Sequence, residues 1–130
     1  MTARYKDPAL SCDERADDLL SRMTLEEKVA QMLGVWQQKR DKLVDARGRF
    51  DEKKARAAFA DGHGLGQVGR PSDAGEGLTA REMAELTNAI QRFFIESSRL
   101  GIPVIFHEEC LHGHAAREGT SFMAAQPSRS

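Results

Sequence analysis

Apolar residues recur at helical spacing in several stretches of the chain. Ala16, Leu19, Leu20 and Met23 share one side of a helix predicted from about Cys12 to Met23. Leu25, Val29, Met32 and Leu33 form the stripe of a second helix, with Trp36 one turn further on. Met83, Leu86, Ile90, Phe93 and Phe94 mark a third. Each of these helices opens on the same device. Ser11-Cys12-Asp13-Glu14, Thr24-Leu25-Glu26-Glu27 and Thr79-Ala80-Arg81-Glu82 fit the capping box. In it a hydroxyl accepts an orphan backbone N–H, and the glutamate three residues on reaches back to the cap. Leu78 before the third cap and Met83 at the fourth helical position predict a hydrophobic staple. Gly101 and Pro103 end that helix.

Two short runs lack helical spacing. Gly64-Leu65-Gly66-Gln67-Val68-Gly69 is small, apolar and bounded by glycine. Ile102-Pro103-Val104-Ile105-Phe106 is rich in branched and aromatic residues. An apolar run without alternation suits a strand covered on both faces, as in a parallel sheet. With a helix of roughly 20 residues between them, the order is strand, helix, strand, a βαβ unit with an expected right-handed crossover. Gly75-Glu76-Gly77 lies in the first connection, where α/β folds carry site loops. It reads as a flexible connector, because no Gly-Lys-Ser or Gly-Lys-Thr follows to cradle a phosphate.

The 130 residues give room for one domain, and 40% hydrophobic with 30% charged residues is a soluble globular balance. A net charge of -1 removes any global pull toward nucleic acid or acidic membranes. No apolar run approaches the ~18 residues of a membrane span. The start, Met1 to Pro8, lacks the apolar segment of a signal peptide, so the expected compartment is the cytoplasm. Cys12 and Cys110 are too few for a disulfide framework and are expected as free thiols. Residues 37–54 carry seven cations against four anions. That stretch reads as a solvated loop leading into a short helix around Asp51–Ala60. Phe50 is its one aromatic residue, which argues against a nucleic-acid surface. No cofactor is expected, and the oligomeric state stays open.

Chemistry-capable side chains crowd after the second run: His107, Glu108, Glu109, Cys110, His112 and His114. A zincin-type helix would need histidine at position 111, which is leucine. His112 misses the shared face by about 100° of helix. Glu108 and Glu109 are adjacent, so in an extended chain they point to opposite faces. They cannot flank one glycosidic bond as a catalytic pair, which needs carboxyls about 5–9.5 Å apart. A binding rim is the third reading. A carboxylate at the C-terminal end of a parallel strand lies where barrels hold ligands, and it can accept from two hydroxyls at once. The residues alone leave that rim level with a purely structural cluster.

Longer motifs carry a resemblance. Residues 14–32, from Glu14-Arg15-Ala16 through Met23-Thr24-Leu25-Glu26-Glu27-Lys28 to Gln31-Met32, resemble the N-terminal signature of glycoside hydrolase family 3. Within that family they look like the β-glucosidase and β-xylosidase type. Gly64-Leu65-Gly66-Gln67-Val68 resembles its first barrel strand, followed by Arg70-Pro71. Asn88-Ala89-Ile90-Gln91-Arg92-Phe93 and Arg99-Leu100-Gly101-Ile102-Pro103 resemble the next helix and its exit. Ile105 to Gly113 resembles the second strand and its loop.

The resemblance implies the N-terminal portion of a (β/α)8 barrel, an α/β fold here incomplete, helix-rich and with about two parallel strands. It implies a retaining, exo-acting β-glycosidase that releases terminal glucose or xylose from oligosaccharides. It also implies that Glu109 grips hydroxyls of the terminal sugar, with Arg70 a further rim candidate and His112 supporting the loop. The family's nucleophile and its acid/base come from later in the chain, so no catalytic residue is expected among these 130. The barrel portion is expected over residues 1–122. After Thr120 and Phe122 the family pattern is lost, and residues 123–130 are expected to be a divergent, disordered tail. The competing reading is a non-catalytic or metal- or ligand-binding protein that uses the His107–His114 cluster.

Overall fold

The computed structural model describes residues 3–120. After a 3-10 turn at Arg4–Lys6 come α1 (Cys12–Arg22), α2 (Leu25–Gln31), β1 (Gly34–Val35), α3 (Lys39–Lys42) and α4 (Glu52–Ala58). Then follow β2 (Gln67–Gly69), a 3-10 turn at Pro71–Asp73, α5 (Ala80–Ser97) and β3 (Ile105–His107). The predicted tail at 123–130 lies outside the described residues.

All three capping boxes form. Ser11, Thr24 and Thr79 accept from the backbone of Glu14, Glu27 and Glu82, and each glutamate returns to its cap. Asp51 caps the short helix predicted after the polar stretch, taking Lys54 N–H at 3.1 Å. Leu78 is buried and Met83 packs against the same core, as the staple requires.

The sheet is parallel, in the order β1-β2-β3. Gly34 pairs with Gln67, and Gln67 in turn with Ile105. The two predicted strands are therefore the second and third of the sheet. The first, Gly34–Val35, is too short to leave a periodic signal. Its neighbours Met32 and Leu33 extend the stripe of the preceding helix, which masks the change. Backbone pairing decides the switch: Gly66 N–H donates to Ala30 O at 2.9 Å and Gln67 N–H to Leu33 O at 3.2 Å. Glycine is needed for that approach, because a Cβ at Gly66 would run into the Gln31 carbonyl oxygen.

The core lies between the sheet and α5. Val35, Val68 and Val104 meet Leu86, Ile90, Phe93 and Phe94 there. Phe94 packs edge-on to Phe59 at 4.9 Å and to Phe93 at 5.2 Å between ring centroids. Rings in that arrangement add about 0.5–1.5 kcal/mol each beyond the area they bury. Gln91 on α5 serves the backbone before β3. It donates to Val104 O at 3.0 Å and accepts Val104 N–H at 2.8 Å.

Two expectations about faces change. The stripe Leu25, Val29, Met32 and Leu33 is exposed, and α2 buries Glu27 and Ala30 instead. Glu27 is drawn inward by Arg99, whose guanidinium donates from Nε at 2.8 Å and from Nη2. The polar stretch is also more than a solvated loop. Leu43 and Val44 are fully buried within it, and Val44 bridges Phe50 across a turn organised by Asp45. Charged neighbours on both sides hide these two apolar residues from a compositional reading.

Candidate functional site

Because the strands run parallel, the residues that follow them gather at one edge of the sheet. Trp36 follows β1, Arg70 follows β2, and Glu108 and Glu109 follow β3. In barrel architectures this edge carries the ligand site.

Arg70 takes a left-handed conformation, φ 46° and ψ 63°, and starts the Pro71–Asp73 turn. Its N–H donates to His107 O at 2.7 Å, extending the β2–β3 ladder by one bond. Its Nη2 donates to Ala115 O at 3.3 Å, and its Nε lies 3.6 Å from Asp73. Arg70 therefore ties the β2 loop to the loop after β3.

The two adjacent glutamates part company. Glu108 is half-buried and accepts from Ser72, from the backbone N–H at 2.8 Å and from the hydroxyl at 2.7 Å. His114 Nε2 stands 3.6 Å from the same carboxylate. Glu109 is exposed, and its carboxylate makes no hydrogen bond or ion pair among the described residues. One carboxylate is thus consumed in holding two loops together, and its neighbour is left exposed. They do not form an acid/base pair facing a common bond.

His107 and Trp36 fill the mouth above β2. A Cβ on Gly69 would fall 2.8 Å from Cε1 of His107 and 3.3 Å from the Cβ of Trp36, so the imidazole lies across the glycine. The buried Nδ1 of His107 has no hydrogen-bond partner among the described residues. Trp36 is 39% exposed, and its indole N–H donates to Asp73 at 3.2 Å. Lys39 is buried beneath, donating to Gly69 O at 2.8 Å and pairing with Asp73 at 2.8 Å. A cleft of about 310 Å³ opens here, lined by Trp36, Gln37, Arg40, Asp41 and Gly75 among others.

His112 is exposed and makes no hydrogen bond among the described residues; the contact to the loop interior comes from His114. Cys110 is an exposed free thiol. Among the described residues no three His, Cys, Asp or Glu side chains converge where a metal ion could be held. No helix among them is long and apolar enough to cross a membrane.

The structure brings Arg70 together with Trp36, Lys39 and Asp73, and Ser72 with Glu108, whereas Glu109 shares only the same end of the sheet; the residue pattern did not single out Trp36, Lys39, Ser72 or Asp73 as site residues. Trp36 carried a usable signal, as the chain's one tryptophan at the end of an apolar run. Lys39 carried none, since a lysine in a charge-rich stretch reads as solvated, and neither did Asp73, a lone acid in a turn between Pro71 and Gly75.

Comparison with known proteins places this geometry. The profile of the glycosyl hydrolase family 3 N terminal domain matches residues 24–128. The chain belongs to glycosyl hydrolase family 3. It is 34% identical over 127 residues to a probable beta-glucosidase C of Aspergillus oryzae, covering 95% of this chain and 18% of that protein. It is 32% identical over 124 residues to a putative beta-xylosidase of Formosa agariphila, covering 91% of this chain and 15% of that one. A solved β-glucosidase of Erythrobacter marinus superposes with a TM-score of 0.66 at 33% identity, covering 88% of this chain and 14% of that one. The chain therefore spans less than a fifth of these family members. Its unclosed three-stranded sheet is the family's α/β barrel in part.

Proposed function

We infer that this part of the family barrel supplies the sugar-holding edge of a retaining, exo-acting β-glycosidase acting on terminal β-linked glucose or xylose. The observation that carries the reading is the division of labour at the end of β3. Glu108 is spent on Ser72, while Glu109 stands free at the edge where barrels bind ligands. An ionised carboxylate accepts from two vicinal hydroxyls at once, and a sugar ring presents such pairs. Arg70 braces this edge from β2, and the indole of Trp36 offers a flat apolar surface beside it. His112 forms the outer flank of the loop.

None of these side chains is a nucleophile or a proton donor to a leaving group. Bond cleavage requires a pair of carboxyls that this stretch does not bring together. The 130-residue chain is therefore expected to leave aryl β-glucosides and β-xylosides intact; hydrolysis retained after substitution of both Glu108 and Glu109 would reveal a different site.

The binding test is a titration of the chain with glucose, xylose and their β-linked disaccharides, followed by amide and indole NMR shifts. Shifts are expected at Glu109 and Trp36, with α1 unmoved. Glu109→Gln should weaken binding roughly 10- to 100-fold, the worth of a charged hydrogen bond of about 1.5–3 kcal/mol. Binding indifferent to Glu109→Gln would remove this residue from the edge.

A further inference from the structure

The Asp73 carboxylate stands among donors from two loops. One oxygen is 2.8 Å from Lys39 Nζ. The other accepts the Trp36 indole N–H at 3.2 Å and lies 3.6 Å from Arg70 Nε. Trp36 and Lys39 follow β1, whereas Arg70 and Asp73 follow β2. Lys39 is 4% exposed and also holds the Gly69 carbonyl, so its ammonium is anchored at the sheet edge. A buried ammonium requires a paired anion, and that requirement pins Asp73 in place.

The χ2 torsion of an indole is broad, and Trp36 is 39% exposed; among the described residues the bond to Asp73 is the one side-chain hydrogen bond that constrains its ring. We propose that Asp73 is a positioning residue: anchored by buried Lys39, it fixes the Trp36 indole as a rigid flat face at the mouth of the sheet, ready for the apolar face of a pyranose. The sugar part of this assignment rests on the functional reading above; the positioning part rests on the geometry alone. Asp73 itself touches no ligand in this scheme.

Trp36 is the chain's one tryptophan, so its fluorescence reports the ring without interference. The experiment compares emission maximum, anisotropy and acrylamide quenching in the full 130-residue chain, with helix content followed by circular dichroism. Asp73→Ala is expected to shift emission to the red, lower the anisotropy and raise quenching while helix content holds. Asp73→Asn keeps an oxygen acceptor for the indole and should recover much of the wild-type signal. Lys39→Met retains the buried stem but removes the anchor, and should loosen the ring as Asp73→Ala does. This variant decides the matter if Asp73→Ala loses helix. Equal quenching in wild type, Asp73→Ala and Lys39→Met overturns the proposal. Added cellobiose or xylobiose should move the emission of the wild type and not that of Asp73→Ala. If the variants loosen the ring but no sugar moves the wild-type signal, the positioning role stands and the sugar reading fails.

Discussion

Glu108 and Glu109 are chemically identical neighbours with different work. Glu108 answers two donors on buried Ser72. Removing it leaves two donors of a buried serine without their acceptor, at a cost of about 1–3 kcal/mol. Glu108→Ala should therefore lower stability by that amount in a denaturant titration, and Glu108→Gln by less, because the amide oxygen still accepts. Glu109→Ala should change stability by no more than about 0.5 kcal/mol, as exposed substitutions do, and act on sugar affinity alone. If Glu109→Ala proves the more destabilising of the two, the division is reversed. The residue pattern alone established that at most one of the pair could face a site. It could not say which, because Ser72 lies 36 positions away.

At the level of elements, the join between α2 and the turn after α5 depends on Glu27 and Arg99. Glu27 is 2% exposed and closes its own capping box while pairing with Arg99. The Arg99 hydrogen bonds hold its carboxyl below the usual glutamate value of 4.5, with burial opposing. A carboxyl depressed in the folded state contributes stability above its unfolded pKa, and the contribution is lost as pH falls through the folded value. Stability of the wild type should thus decline below about pH 4.5, and part of that decline should vanish in Glu27→Gln. At neutral pH the same substitution should cost about 1–2 kcal/mol, because it weakens the charge-assisted hydrogen bonds at buried Glu27 while water still solvates the half-exposed Arg99. Parallel acid profiles for the two proteins would show that this pair is not the source. Gly66 governs a second join. Gly66→Ala would force β2 from β1 at the Gln31 carbonyl, with an expected loss of more than about 3 kcal/mol in thermal unfolding, well above an ordinary substitution.

Across the whole molecule, the described sheet is unclosed. β1 and β3 each have one neighbour, so their outer edges offer unpaired backbone groups. Ile105 is 68% exposed on β3, and the stripe with Met32 at 83% lies beside β1. Unpaired edges flanked by apolar surface are templates for association. Sedimentation of the 130-residue chain should show mass rising with concentration across the micromolar range. Ile105→Lys and Met32→Glu should suppress that rise without lowering helix content. A chain that stays monomeric throughout would mean that these surfaces do not associate.

What the amino-acid order determined by itself was whatever depends on near neighbours. The capping boxes at Ser11, Thr24 and Thr79 each join residues three apart, and the helices begin where they indicate. The apolar spacing of α5 likewise announced Leu86, Ile90 and Phe94 as core. The motifs from Glu14 to Gly113 carried the family. The tertiary structure alone decided what depends on distant partners. Gly34–Val35 is a strand only because Gln67 and Val68 lie beside it. The face that α2 buries holds Glu27, whose partner Arg99 lies 72 residues away, and the apolar stripe lies outside it. Lys39 is buried because Asp73 and the Gly69 carbonyl compensate its charge there. A cap is a short-range hydrogen bond, legible in order and spacing. Burial of a charge, the life of a two-residue strand and the facing of one carboxylate are set by what folding brings alongside.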